Sequence, residues 1–228
     1  MSKYRHEYKY ICSDTQLVLL RNRLEGLMEY DKYAGQDGSY TIRSLYFDDY
    51  LDGCLFDNIN GTDPREKFRI RIYNGDTSHI KLELKRKEHG KTLKSSCRID
   101  GELCEKMMRG VPLKMDAVDS RVYRKFCLMQ NIRLLKPKVI VEYDRVPYVY
   151  RDGNVRVTFD RNIRSGAAIE RFMEKNVITR PVMPCGQHVL EVKFDELIPD
   201  FIYSAIQIEK LQQTTYSKYY ICRKYSLG

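Results

Sequence analysis

The sequence predicts an α+β fold in which a closed antiparallel β-barrel of about eight strands is flanked by helices. Two observations carry this prediction. The candidate strands are joined mainly as hairpins, and the helices interrupt runs of strands instead of alternating with them. No linker, internal repeat or low-complexity tract divides the chain. We therefore expect a single domain over residues 1–228.

The first half of the chain predicts a strand and a helix followed by a meander of strands. Residues 4–12 form the first strand, and Ser13 or Asp14 then caps a helix whose leucines recur at helical spacing. Residues 60–65 are expected to form a turn or a disordered insert. The strands of the meander are 41–49, 66–75, 79–87 and 91–99, with turns at Asn74-Gly75 and His89-Gly90.

The second half of the chain predicts further helices around a second group of strands. A stripe of Val118, Val122 and Phe126 marks one side of the longest helix. The sequence Arg151-Asp152-Gly153-Asn154 is typical of the turn of a β-hairpin. The expected helices are 101–109, 114–131, 198–208 and 217–225. The expected strands are 136–150, 154–163 and 188–196.

An excess of basic residues indicates a polyanionic partner. The chain has 40 Lys and Arg against 31 Asp and Glu, which gives a formal net charge of +9. Neither a GxxxxGKS nor a GxGxxG phosphate loop occurs in the chain. A nucleotide would therefore have to be bound by side chains.

The cysteines and the hydropathy pattern predict a cytoplasmic protein. Seven scattered cysteines include no CxxC pair, which argues against a zinc site or a disulfide framework and fits a reducing compartment. No apolar run approaches the roughly 20 residues that a membrane-spanning helix needs. We therefore expect no direct membrane span.

Charged residues share one face of most strands, because residues i and i+2 of a strand point the same way. Arg69 and Arg71, for example, oppose Phe68, Ile70 and Ile72. A charged strand face is most often solvated. The predicted helices nevertheless need apolar partners, and if the apolar strand faces supply them, the charged faces line the interior.

This predicted inner set has a surplus of six positive charges. Buried charges persist only when they are paired or bound to a ligand, so the surplus indicates a polyanion. Arg forks and Lys ammonium groups suit phosphate oxygens, and carboxylates suit Mg²⁺ or Mn²⁺. The predicted phosphate-binding residues are Lys9, Arg69, Arg71, Lys85, Lys94, Arg98, Arg145, Arg156, Lys193 and Lys218. The predicted metal ligands are Glu7, Glu83, Asp160 and Glu191.

Several short motifs, in order along nearly the whole chain, resemble those of a known family. They are SLYFDD (44–49), RxR (69–71), ExK (83–85), YDR (143–145), VRVTFD (155–160), VLEVKF (189–194) and YSKY (216–219). The chain resembles the VTC domain, the polyphosphate polymerase branch of the triphosphate tunnel metalloenzymes, which also include CYTH-type cyclases and triphosphatases.

The resemblance implies an ATP-dependent polymerase that moves the γ-phosphate of ATP onto a growing polyphosphate chain inside a tunnel, with a divalent metal. Lys9, Arg69, Arg71, Lys85 and Glu191 would be the catalytic residues, with Glu191 on the metal. The resemblance implies phosphate binding by eight of the residues predicted above, namely Lys9, Arg69, Arg71, Lys85, Lys94, Arg145, Arg156 and Lys218. We expect ATP and polyphosphate as partners, a monomer, and no nucleic acid. Eukaryotic relatives sit in membrane complexes, which leaves a membrane partner protein open.

Three alternatives remain beside the polymerase. A triphosphatase of the same fold is less favoured, because CYTH hydrolases begin with ExExK whereas Arg5 here precedes Glu7 and Lys9. A non-catalytic sensor of polyphosphate or nucleotide and a nucleic-acid-binding β-barrel are the others. Asp48 and Asp49 follow a strand and are expected to cap a turn in preference to binding a metal.

Overall fold

A computed structural model describes residues 4–226 and gives the secondary structure of this part of the chain. The strands within it are β1 (His6–Ser13), β2 (Glu29–Tyr30), β3 (Tyr40–Asp48), β4 (Arg65–Tyr73), β5 (Asp76–Glu88), β6 (Lys91–Ile99), β7 (Lys136–Tyr150), β8 (Val155–Gly166), β9 (Arg180–Pro181) and β10 (Gln187–Phe194). The α-helices within it are α1 (Asp14–Glu25), α2 (Gly53–Ile59), α3 (Gly101–Met108), α4 (Arg121–Arg133), α5 (Asp200–Ile206) and α6 (Lys218–Ser226).

Local signals explain most of these boundaries. Ser13 begins α1 with a capping box, in which its side chain accepts from the Gln16 amide and the Gln16 side chain accepts from the Ser13 amide. The β4–β5 hairpin turns at Asn74 and Gly75, whose φ angles of 52° and 69° suit a tight turn between twisted strands. Helix α4 begins later than expected, because Ser120 caps it by accepting from the Val122 amide.

The strands form one antiparallel sheet that curls into a half-barrel. Within residues 4–226, eight strands follow one another in the order β1-β10-β8-β7-β3-β4-β5-β6, while β2 pairs with β7 and β9 with β8. The edge strands β1 and β6 approach each other, but the described residues show a single bridge there, between Arg5 and Thr92. The α+β class is therefore confirmed.

The predicted closed barrel is wrong. Closure needs edge strands whose tilt and stagger bring their backbones into register, and here side chains span most of the gap instead. Lys85 of β5 reaches Glu7 of β1 over 2.8 Å, and the Tyr4 hydroxyl donates to Glu88 over 2.5 Å. The result is an open half-barrel whose edges are connected mainly by polar side chains.

Helices cover the convex side of the half-barrel. Helices α3 and α4 pack on the apolar faces of β3 to β6, where Phe126 contacts a cluster that contains Ile70 and Leu82. Helices α1 and α5 cover the other strands, with Leu20 in a cluster that contains Leu190. The apolar strand faces thus point outward to the helices, and the charged faces line the concave side. We call this charged side the concave face.

Helix α6 enters the concave side and joins α2 there. Tyr219 and Cys222 of α6 pack with Val141 and Val189, which lie on the inner face of β7 and β10. Asp48 connects the two helices, as its carboxylate accepts from the Leu55 amide of α2 and from the Tyr219 hydroxyl. These helices therefore close off one part of the concave face.

No helix within residues 4–226 is long and apolar enough to cross a membrane. The single-domain organisation over residues 1–228 stays a prediction.

Candidate active site

The register of β3, β4 and β5 places a row of polar groups around two arginines. Arg69 lies opposite Tyr46 and Glu83, and Arg71 lies opposite Ser44. Arg69 donates to the Tyr46 hydroxyl and to the Glu83 carboxylate, each over 2.8 Å. Arg71 donates to the Ser44 hydroxyl over 3.1 Å. Both guanidinium groups are therefore held in fixed orientations on the concave face.

Glu83 is the centre of the first ion cluster. Its side chain is fully buried and lies 2.7 Å from Arg69, 3.5 Å from Arg71 and 3.3 Å from Lys94. Burial raises the pKa of Glu83, but Arg71, Arg69 and Lys94 outweigh it and hold the pKa well below its ordinary value. The carboxylate is therefore ionised and pairs with three cations. We call these four side chains the Glu83 cluster.

Glu7 is the centre of a second ion cluster, where β1 faces β5 and β10. Its carboxylate lies 2.9 Å from Lys9, 2.8 Å from Lys85 and 3.9 Å from Lys193. Burial raises the pKa of Glu7, yet Lys85 and Lys9 lower it far below its ordinary value. Burial also lowers the pKa of Lys85 to about 8, despite the opposing effect of Glu7. We call this group the Glu7 cluster.

Arg145 connects two further carboxylates in a third ion cluster. We call this cluster, which consists of Arg145, Asp160, Glu191, Lys193 and Lys218, the Glu191 cluster. Arg145 pairs with Asp160 over 2.6 Å and with Glu191 over 3.2 Å. Lys218 of α6 approaches Asp160 to 2.5 Å, and Lys193 approaches Glu191 to 3.2 Å. Burial opposes the charge on Glu191, but Lys193, Lys218 and Lys9 hold its pKa well below the ordinary value.

Two predicted phosphate-binding residues lie apart from these clusters. Arg156 pairs with Asp31 over 2.6 Å and donates to the Tyr40 hydroxyl at the rim of the half-barrel. Arg98 is exposed and donates to the Ser78 carbonyl oxygen over 2.8 Å. The structure brings the other predicted site residues together in the three clusters, but their roles in binding stay predictions.

Sequence reasoning missed Lys67 and several hydroxyl groups. Lys67 lies on the same face as Arg69, and extending the period-two pattern by one step would have found it. Arg71 donates to the Tyr143 hydroxyl over 3.4 Å, and the Arg145 guanidinium lies 5.3 Å from the centre of the Tyr143 ring. Tyr143 lies in the YDR motif (143–145), but the alternation of charged residues does not predict its contact with Arg71, which the fold shows.

The four predicted metal ligands are distributed over the three clusters, and Asp160 and Glu191 share one of them. Within residues 4–226, no group of three or more His, Cys, Asp or Glu side chains is placed to hold a metal. The pKa values of Glu7 and Asp160 are lowered by their cations, and repulsion from Glu191 opposes this lowering at both residues, so these three carboxylates are neighbours. Their hard oxygens fit Mg²⁺ or Mn²⁺ chemically, although these three carboxylates do not form a complete ligand set. Glu83, the fourth predicted ligand, lies in a different cluster with Arg69, Arg71 and Lys94.

Asp48 and Asp49 cap the turn after β3, as expected. This turn leads into helix α2. Asp48 accepts from the amides of Cys54 and Leu55 over 2.8 and 3.1 Å. Asp49 accepts from the Gly53 amide over 2.7 Å. Both carboxylates are therefore occupied by backbone amides at the start of a helix.

Comparisons with solved structures show likeness of fold. A putative adenylyl cyclase from Hippeastrum with a dominant triphosphatase activity has a TM-score of 0.57 at 15% identity, covering 99% of this chain and 96% of that one. A putative adenylate cyclase from Bacillus halodurans has a TM-score of 0.51 at 13% identity, covering 84% and 81%. Another from Vibrio parahaemolyticus has a TM-score of 0.50 at 7% identity, covering 97% and 98%.

No curated protein matches this sequence significantly. The VTC domain family, in contrast, matches residues 4–227. This match extends over essentially the whole chain and confirms the resemblance that the motifs indicated. The chain belongs to the VTC domain family.

Proposed function

We propose that this protein is an ATP-dependent polyphosphate polymerase that transfers the γ-phosphate of ATP to a growing polyphosphate chain along the concave face. The observation that carries the proposal is the set of three neighbouring ion clusters, in which more cations than carboxylates are buried on one side of a curled sheet. Membership of the VTC domain family supports the same reaction.

The cations of the ion clusters are suited to exchange their carboxylate partners for phosphate groups of a ligand. Each carboxylate keeps its cations charged and oriented, so that little reorganisation is needed when phosphate oxygens arrive. The clusters also follow one another across the sheet, which suits a ligand with several consecutive phosphates. Phosphoryl transfer depends mainly on positioning and charge neutralisation, and the concave face supplies both.

Individual residues have distinct parts in this proposal. Arg69 and Arg71 present guanidinium forks to phosphate oxygens, and Lys9 and Lys85 provide point charges. Lys218 binds phosphate beside Asp160, at the start of α6. Glu191 would hold Mg²⁺ or Mn²⁺ together with phosphate oxygens, and a divalent cation supplies charge neutralisation there when bound.

The proposal extends to partners and location. ATP and inorganic polyphosphate are the substrates, the protein acts as a monomer, and nucleic acid is not a ligand. The free cysteines within residues 4–226 fit the reducing conditions of the cytoplasm. A membrane partner protein, as in eukaryotic relatives, belongs to the same proposal.

A product assay tests the proposed reaction. Purified protein is incubated with ATP and Mn²⁺, and the products are separated on a gel that resolves long polyphosphate. We expect a polyphosphate ladder from the wild type and from Arg124→Ala, which alters an exposed arginine on the convex side. Arg71→Ala should abolish the ladder. Release of free phosphate without a ladder would contradict the polymerase.

A triphosphatase is the second candidate, because the Hippeastrum protein of similar fold has triphosphatase activity. Arg5, at the first position of the RxExK segment, disfavours a triphosphatase here. Arg5 pairs with Asp195 over 3.0 Å and adds no carboxylate to the concave face. Phosphate released from tripolyphosphate at least as fast as ATP is consumed would favour this candidate. Binding without turnover of either compound would favour a sensor.

A further inference from the structure

Lys67 differs from the cations of the three ion clusters. Each of those cations has a carboxylate oxygen within 4 Å, as Arg69 does at Glu83 and Lys218 does at Asp160. Within residues 4–226, Lys67 has no carboxylate at that distance although its side chain is half-buried on the concave face. A buried cation without a counter-charge is unfavourable unless it loses its proton or binds an anion.

Neutral groups surround the Lys67 ammonium. It donates to the Asn58 amide oxygen of α2 over 3.0 Å and to the Ser217 hydroxyl over 3.4 Å. It also lies 5.0 Å from the centre of the Tyr219 ring of α6. These groups orient the ammonium group in the corner between α2 and α6, but they do not neutralise it.

The charged and titratable groups that face Lys67 are mostly basic. Across the sheet, Lys67 lies opposite Lys85, which lies opposite Lys94, so that three lysines form a row over β4, β5 and β6. The groups facing it are Lys85 of β5, Lys9 of β1, Arg65 of β4, Cys54 of α2 and Tyr219 of α6, whose hydroxyl is bound to Asp48 of β3. Burial lowers the pKa of Lys67 to about 7, with Cys54 opposing this effect and Lys85, Arg65 and Lys9 adding to it.

We propose that Lys67 is an additional phosphate-binding residue, which takes up a proton when a phosphate group of the polyanion enters the corner between α2 and α6. The inference rests on the proposed function and deepens it, because it assigns a position to one phosphate of the substrate. The phosphate supplies the missing negative charge. The proton comes from the solvent and forms an N–H bond on the Lys67 amine, and no bond of the polyanion is broken.

Calorimetric titration with inorganic tripolyphosphate tests this inference. At about pH 8 the free Lys67 would be mostly neutral, so binding should be accompanied by proton uptake. The number of protons follows from titrations in two buffers that differ in ionisation enthalpy. We expect Lys67→Met to bind about tenfold more weakly, the equivalent of one charge-assisted hydrogen bond, and to take up fewer protons.

Two further variants make the result specific. Lys67→Arg keeps a permanent charge, so it should keep most of the affinity while losing the same part of the proton uptake. Its affinity and proton uptake also test the inference if Lys67→Met does not fold. Lys114→Met removes an equal charge from the exposed loop before α4 and should behave as the wild type.

Arg71→Ala separates failure of this inference from failure of the proposed function. If Lys67→Met keeps wild-type affinity and proton uptake while Arg71→Ala loses affinity, Lys67 is not a phosphate ligand although the concave face is. Weaker binding with unchanged proton uptake would overturn the proton step. If Arg71→Ala also binds as the wild type, the proposed function fails.

Discussion

At the scale of single residues, the Glu83 cluster supports the proposal that the concave face binds an anion. Glu83 is fully buried among Arg69, Arg71 and Lys94. Buried ion pairs are often no more stabilising than apolar residues of similar volume, since desolvation offsets their attraction. A cluster in which three cations share one carboxylate is instead suited to a second, more highly charged anion.

Glu83→Gln should lower stability but increase the effect of ligand. The change leaves three cations without their counter-charge, and we expect unfolding to become easier by about 3–5 kcal/mol. Tripolyphosphate, added without divalent cations, should then raise the melting temperature more than it does for the wild type, because phosphate replaces the lost charge. Thermal unfolding with and without tripolyphosphate measures both effects.

The matched control is Glu142→Gln on the convex side. Glu142 is buried beside Arg43, at 2.6 Å, and Arg164, at 3.1 Å. This variant should also lose stability, but tripolyphosphate should stabilise it no more than it stabilises the wild type. An equal ligand response in the two variants would contradict phosphate binding at the Glu83 cluster.

Lys67 also predicts how stability without ligand depends on pH. Burial and neighbouring cations lower its pKa from 10.5 to about 7. Between these values the unfolded chain holds a proton that the native chain lacks, so this residue makes stability rise with pH, and its penalty is complete below about pH 7. Lys67→Met should be more stable than the wild type at neutral and lower pH and should lose this rise.

Urea unfolding at a series of pH values measures this dependence. Lys114→Met, which removes an exposed charge, should keep the pH dependence of the wild type. A Lys67→Met curve parallel to that of the wild type would mean that Lys67 is protonated in the native protein throughout this range.

At the scale of elements, α2 and α6 depend on a carboxylate from β3. Helix α2 is preceded by Asp52, whose φ of 57° and lack of a side-chain cap give no ordinary start signal. Asp48 caps the helix instead and also accepts from Tyr219 of α6. The sequence shows that Asp48 is suited to capping, but not which helix it caps, and α2 was therefore missed.

Tyr219→Phe tests this connection. Removing the hydroxyl leaves the buried Asp48 carboxylate without one donor, and we expect a loss of about 1–3 kcal/mol in the free energy of unfolding. Tyr225→Phe removes the same group from an exposed position on α6 and should change stability by less than about 0.5 kcal/mol. Urea unfolding of the two variants measures the difference, and equal losses would show that Asp48 does not hold α6.

Hairpins were easier to predict than the beginnings of helices. The Asn74-Gly75 turn is specified locally, because both residues take positive φ angles that these residue types tolerate. Helix α4 begins at Arg121, although the helix predicted over 114–131 includes Val118 in its apolar stripe. Val118 packs against the core from a loop, and side-chain burial in a loop has no periodicity from which a boundary can be recognised.

At the scale of the whole molecule, the alternation of charged and apolar residues predicts which side chains share a face of the sheet. It predicts neither whether the sheet closes into a barrel nor how far from the rim a side chain lies. The charged residues do share the concave face, and most of the predicted set meets in three clusters. Arg98 and Arg156 have the right alternation yet lie at the rim, because period two does not specify the position along a strand. Closure depends on tilt and stagger over all strands, which no local pattern contains.

The central claim is that phosphates bind on the concave face among the three ion clusters. A crystal structure of the protein with tripolyphosphate and Mn²⁺ tests it most directly. We predict phosphate oxygens within hydrogen-bonding distance of Arg69, Arg71 and Arg145, with Mn²⁺ on Glu191 and on the phosphates. Tripolyphosphate bound on the convex side, with the three clusters still paired as they are without ligand, would contradict the account.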